Sequence, residues 1–173
     1  LSTTAQLAAE RGLHNVRTEL ADAEALPFRL FSFDLVTCRI APHHFTRVDK
    51  FVAECARVVK RGGLLGIVDN VTTEDAAHFV DSFERLRDPS HVHCLSMREW
   101  TMLLARHGFE IEHHETLSKR MDFDAWVRQQ KTPAHTEQVL ARMLREAPAA
   151  AAWCLRPDVT GEGAVTGFTL TEG

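Results

Sequence analysis

The chain has 173 residues, 45% of them hydrophobic and 25% charged, which suits a single domain with a core of ordinary size. Its 20 lysines and arginines against 24 acidic residues leave a net charge of −4, so it carries no field to hold a polyanion, and a nucleic-acid or membrane-surface partner is disfavoured. No apolar run approaches the roughly 18 residues of a membrane span and no leader pattern precedes the first helical stretch; the expected location is the cytoplasm.

Ser2 to Arg11 reads as a short helix stopped by Gly12 in the left-handed conformation, and Asn15 to Leu20 alternates as a strand does. A loop, Ala21 to Ser32, leads to a second strand at Phe33-Asp34-Leu35-Val36-Thr37-Cys38. A helix follows from Thr46, with Asp49 three residues on in a capping-box-like arrangement. Val48, Phe51, Val52, Cys55, Val58 and Val59 form its apolar face, and Arg61-Gly62-Gly63 ends it. The continuously apolar Leu64 to Val68 then predicts a parallel strand covered on both faces, completing a right-handed βαβ unit.

Downstream, Thr72 or Thr73 caps a helix, and Ser96 with Glu99 makes a full capping box for another that Gly108 closes. Phe109 to His114 reads as a strand. Asp122 and Thr132-Pro133 each open a further helix, the Ala147 to Ala152 run is alanine-rich, and Gly161 to Gly173 is a glycine-punctuated tail. Within it, Gly167 to Leu170 reads as the approach to a final antiparallel strand. Strands alternating with helices make an α/β fold with a mostly parallel sheet, whose ligands sit beyond the carboxyl ends of the strands. That rule selects Asp22 to Phe28, Arg39 to Phe45 and Asp69 to Asp75.

Cys38, Cys55, Cys94 and Cys154 contain no C-x-x-C pair, and the histidine pairs 91/93 and 113/114 have no carboxylate or cysteine at zinc-like spacing, so no metal is expected. Trp100, Leu103, Leu104 and Trp126 read as core, and Cys38 as a small apolar filler rather than a nucleophile.

The three selected places carry Ala21-Asp22-Ala23-Glu24-Ala25-Leu26-Pro27-Phe28, then Phe33 to Arg39, then Arg57-Val58-Val59-Lys60-Arg61-Gly62-Gly63. As an ordered set they resemble the class I S-adenosylmethionine-dependent methyltransferases of the ubiquinone and menaquinone biosynthesis type (methyltransferase type 11). Cys38 to Phe45, Val68-Asp69-Asn70 and Leu86 to His91 are similar to one bacterial subgroup of small-molecule enzymes. The resemblance covers nearly the whole chain. It implies a Rossmann-like three-layer α/β sandwich, residues 1–173 forming one domain with helical substrate-side insertions within 72–160. It also implies S-adenosylmethionine as cofactor and a small-molecule acceptor.

On that resemblance, Asp22 and the Ala23 amide read the adenine, with Glu24 beside them, and the Arg39 backbone faces the sulfonium and amino-acid part of the cofactor. His43 and His44 are candidate catalytic bases, imidazole being able to take a proton near neutrality; packing at the helix entrance is the plainer alternative for either one. Arg87, Ser90 and His91 are candidate substrate-binding residues for an anionic group, a solvated loop being the competing reading.

A complete family member begins with a strand ending in G-x-G-x-G, a helix, and a second strand ending in an acidic residue. None of these stands in this chain, so the expectation is an N-terminally truncated protein whose partial sheet lacks strands 1 and 2. With the family order 3-2-1-4-5-7-6, strand 3 would stand about 14 Å from strand 4 at roughly 4.8 Å per strand, leaving strand 4 a bare edge. A homodimer would cover such an edge. The rival reading is therefore a non-catalytic interaction module that dimerises through it. A nicotinamide-dependent reductase ranks last, since the glycine fingerprint is missing and the chain has no tyrosine.

Overall fold

The structure, a computed structural model, describes residues 2–173. Helix α1 (Ser2–Glu10) ends at Gly12, whose φ of 65° is the left-handed stop that glycine accepts without strain. Strand β1 (Phe33–Arg39) is followed by a single 3-10 turn over Pro42–His44 and by α2 (Val48–Val58). Then come β2 (Val59–Val68), the two-residue β3 (Asn70–Val71), α3 (Glu74–Arg87) and α4 (Met97–Arg106). The rest is β4 (Leu117–Asp122), α5 (Phe123–Gln129), α6 (Ala134–Arg145), α7 (Ala149–Leu155), β5 (Asp158–Val159) and β6 (Val165–Glu172).

β1 and β2 pair in parallel, from Leu35 opposite Leu64 to Arg39 opposite Val68, as the apolar patterns predict. β2 begins at Val59, however, where the sequence reads helix, and the pair is covered on one face only, Leu35 and Leu64 being 56% and 53% exposed. β6 lies between β3 and β4, antiparallel to both, and β5 pairs with β6 as well. Asp69 joins the two sheets: it sits between β2 and β3 and exchanges backbone hydrogen bonds with Gly173 at 3.0 and 2.9 Å. The order β1, β2/β3, β6, β4 is the 4-5-7-6 portion of the order that the resemblance implies. Gly167 to Leu170, read from sequence as the approach to a strand, are the middle of β6 itself.

Two expected strands are not formed. Residues 15–20 run as coil and are largely exposed, Leu20 at 81%, because no strand partner lies beside them among the described residues. Residues 109–114 are also coil; the strand starts later, at Leu117, in a polar stretch whose pattern gives little sign of it. The expected Thr46–Asp49 cap is replaced from outside the helix. Glu24 accepts the Thr46 hydroxyl at 3.0 Å and the Arg47 N–H at 2.9 Å, while Asp49 turns to Arg106 and His107.

Two apolar cores hold the layers. One packs α2 and α4 on β1 and β2 through Phe51, Val52, Cys55, Trp100 and Leu103. The other gathers α3, α5, α6 and α7 on β6 around Phe83, Trp126 and Phe168, with Phe83 stacked on Trp126 at 5.0 Å and Phe168 meeting both rings edge-on.

Candidate functional site

β1 ends at Arg39, and Ile40 turns the chain with a φ of 49°, a strained conformation for a β-branched residue that costs of order 1–3 kcal/mol. The Ile40 N–H donates to Val68 O at 2.7 Å, so this turn is tied to the end of the neighbouring strand. Pro42 then starts the 3-10 turn that delivers His43 and His44 beyond the strand ends.

His43 is buried, and its Nδ1 lies 2.5 Å from Oδ1 of Asp69; the second carboxylate oxygen accepts the His43 backbone N–H at 2.8 Å. On its other side the His43 carbonyl accepts the N–H groups of Val92 and His93. Ring and backbone are thus fixed together, and Nε2 carries no hydrogen bond among the described residues. His44 Nδ1 meets the Ser90 hydroxyl at 3.1 Å, and that hydroxyl donates to Asp88 at 2.5 Å. The imidazoles of His43 and His44 lie 4.1 Å apart, and His91 stacks on His43 at 5.6 Å.

A cavity of about 220 Å³ opens on these rings, lined among others by His43, His44, Glu84, Arg87, His91 and Trp126. Four of the five residues expected to act on the substrate therefore converge on one space, and the fifth, Ser90, steadies His44 from beside it. A larger cavity of about 540 Å³ near the start of α3 and the end of α7 is lined by Asn70 to Asp75, from the third of the selected places, and by none of the residues expected individually at the cofactor or the substrate.

The residues expected at the cofactor lie apart from that cavity, on the loop before β1 and at its end. Asp22 is exposed and accepts the Glu24 N–H at 2.8 Å in a tight turn, while Oδ2 and the adjacent Ala23 N–H have no partner among the described residues. An acceptor and a donor side by side fit the edge of an adenine. Glu24 is engaged elsewhere: besides its bonds at the start of α2 it pairs with Arg47 Nε at 2.7 Å, and the Arg47 N–H draws its carboxyl below the usual range. These bonds tie the loop to the start of α2. Arg39 is exposed at the strand end.

Sequence reasoning missed Asp69 as the partner of His43, and it missed Asp81 and Glu84. Asp81 accepts from His91 Nε2 at 2.8 Å, His93 Nδ1 at 2.6 Å and the Cys94 N–H at 2.8 Å. Burial works to raise its carboxyl, and these three bonds outweigh it, leaving Asp81 well below the usual range. The carboxylate and cysteine that sequence spacing did not supply to the histidines are thus present, Asp81, His91 and Cys94 placing ligand atoms within 4.8 Å of one another. Burial pushes the Cys94 thiol up, and the three hydrogen bonds to Asp81 tie the loop at 91–94 to α3. Burial and the Asp69 charge push the Cys38 thiol up to about 11, in keeping with a filler.

A family model described as a methyltransferase domain matches residues 1–67. The crystal structure of the YcgJ protein of Bacillus subtilis superposes on 97% of this chain and 73% of its own, with a TM-score of 0.92 at 35% identity. The chain belongs to the class I S-adenosylmethionine-dependent methyltransferases. In sequence this methyltransferase chain is 37% identical over 149 residues to the uncharacterized methyltransferase YcgJ of Bacillus subtilis (strain 168), covering 85% of this chain and 59% of that protein. It is 32% identical over 135 residues to the uncharacterized protein YafE of Escherichia coli (strain K12), covering 77% and 65%. It thus spans about three-fifths of the length of these curated relatives. A Bacillus halodurans C-125 protein described as a candidate methyltransferase has a TM-score of 0.86 at 33% identity over 91% of this chain and 75% of its own. The rival reading as a non-catalytic module finds no support in these likenesses. No helix among the described residues is long and apolar enough to cross a membrane.

Proposed function

We propose that the protein carrying this chain transfers a methyl group from S-adenosylmethionine to a small organic acceptor seated against His43, and that His43 takes the acceptor's proton. The observation that carries this reading is the 2.5 Å contact of the buried Asp69 carboxylate with Nδ1 of His43, which lines the 220 Å³ cavity. Asp69 engages Nδ1 and leaves Nε2 as the acceptor of a proton, the arrangement in which a histidine serves as a base.

When bound, the sulfonium supplies a methyl that is already reactive, so the protein's task is alignment and proton removal. Asp22 Oδ2 and the Ala23 N–H would hold the adenine edge, and the Arg39–Ile40 backbone, locked by its bond to Val68, would border the reacting end. As the acceptor atom takes the methyl group that the bound sulfonium would supply, the acceptor's proton would go to His43 Nε2. At about 220 Å³ the cavity lies below the ~300 Å³ at which pockets for drug-sized ligands begin, so the acceptor is small.

The test is transfer of label from methyl-tritiated S-adenosylmethionine to a panel of small phenols, enols and carbon acids. Transfer that falls roughly 100-fold in His43→Gln supports the reading. No transfer to any of them, with cofactor binding demonstrated by calorimetry, overturns it.

A further inference from the structure

The acceptor cavity holds an arrangement that removal of a proton does not use. Glu84 Oε1, Arg87 Nε and Trp126 Nε1 are buried without a hydrogen-bond partner among the described residues, and all three residues line the same cavity. A buried polar atom left unpaired is costly, so three residues that each carry one and line the same small space describe a receptor for a complementary group.

We infer that Arg87, Trp126 and Glu84 form a cradle for a carboxylate on the acceptor; this rests on the proposed function, whose substrate class it names. Arg87 is held in a fixed plane, its guanidinium 4.2 Å above the Trp126 ring, with Nη1 reaching the Trp126 carbonyl at 3.4 Å. Stacking leaves the Nε edge free, and a planar guanidinium edge matches a carboxylate. The indole Nε1–H is a second donor, with no acceptor function of its own. Glu84 is the guanidinium's ion-pair partner, Oε2 standing 3.7 Å from Nη2, too far to occupy it with a hydrogen bond, and Glu84 is only 4% exposed. Burial pushes the Glu84 carboxyl up, against the pull of Arg87, His91 and His43. Lys119, the other cation of the lining, is already paired with Glu172 at 3.3 Å. Asp88 and Glu172 also line the cavity, and they disfavour a second negative charge such as that of phosphate.

The Trp126 indole N–H gives a single-residue reporter. The ¹⁵N-labelled chain, with that resonance assigned through Trp126→Phe, is titrated with benzoate, with its neutral isostere benzamide and with inorganic phosphate. The expected result is a saturable shift of the Trp126 resonance with benzoate, with benzamide and phosphate leaving it in place. Arg87→Lys, which keeps the charge and loses the planar edge, should weaken benzoate at least tenfold with the rest of the spectrum unchanged. No shift with benzoate, or an equal shift with benzamide or phosphate, overturns the cradle. The readout needs neither S-adenosylmethionine nor turnover, so benzoate binding without methyl transfer would count against the proposed function alone. Transfer confined to uncharged acceptors would count against the cradle alone.

Discussion

The imidazole of His43 and the carboxylate of Asp69 are 26 residues apart in sequence and share two hydrogen bonds, one from the ring at 2.5 Å and one from the backbone N–H at 2.8 Å. Because Asp69 is also where β2 gives way to β3, the residue that links the sheets is the residue that holds the proposed base. Replacing Asp69 by Asn keeps the shape and removes the charge. Asp69→Asn is predicted to slow methyl transfer at least tenfold, with the Michaelis constant for S-adenosylmethionine little changed. His44→Gln, whose ring bonds only the Ser90 hydroxyl among the described residues, should cost less than either dyad variant. Steady-state kinetics of the three variants checks the ranking.

Asp81 and His93 make stability depend on pH. The hydrogen bond to Asp81 holds the His93 ring above its ordinary 6.5, against burial, with Glu99 adding to it. A raised histidine contributes stability that is complete below about pH 6.5 and is lost as pH rises through the folded value. Asp81, held low, contributes above about pH 3.8 and loses its contribution as pH falls through its folded value. The pair is therefore worth most between about pH 4 and 6.5. Urea midpoints should show wild type ahead of His93→Gln at pH 6, the two converging by pH 9. A constant difference across that range would contradict the assignment.

Ser96 and Glu99 close a reciprocal cap on α4, the Ser96 hydroxyl accepting the Glu99 N–H at 3.2 Å and Glu99 accepting the Ser96 N–H at 2.7 Å. Ser96→Ala should cost about 1 kcal/mol and lower Tm by about 2–4 °C. Thr73 occupies the corresponding place on α3 and makes no such bond, its hydroxyl lying 3.4 Å from Cys154 Sγ. Thr73→Ala is predicted to stay within about 0.5 kcal/mol. Thermal unfolding followed by circular dichroism separates the two.

Gly63 sets the close approach of β2 to β1. A Cβ there would meet the Asp34 carbonyl at 2.8 Å and the Lys60 carbonyl at 3.0 Å, backbone atoms that cannot swing aside. Gly63→Ala should destabilise by about 1–3 kcal/mol. Gly66→Ala, whose Cβ would meet only Thr37 Cγ2 at 3.6 Å, is the matched control and should be close to neutral in the same melts.

Elements fixed by local chemistry were readable along the chain: β1 and β2 from their apolar patterns, α4 from its capping box, α5 from Asp122, which accepts the Ala125 N–H at 2.7 Å. Elements fixed by a distant partner were not. Residues 15–20 alternate correctly and have no strand beside them among the described residues, whereas β4 has little apolar pattern and is a strand because β6 pairs with all six of its residues. The site divides the same way. His43, His44, Arg87 and His91 stood out as chemistry-bearing residues in loops or at a helix end, and the structure brings them to one cavity. Asp69 and Asp81 are single carboxylates whose meaning comes from histidines 26, 10 and 12 positions away, a pairing that only the tertiary fold makes. Glu24 shows the converse: its motif pointed to the cofactor, and its oxygens cap α2 and bind Arg47.

The central claim is that His43, aimed by Asp69, removes the acceptor's proton as the methyl group is transferred. The most direct measurement is the single-turnover rate of methyl transfer in wild type and His43→Gln, with S-adenosylmethionine affinity measured alongside. A loss of roughly 100-fold in rate with unchanged cofactor affinity is the predicted result. Equal rates in the two proteins would contradict it.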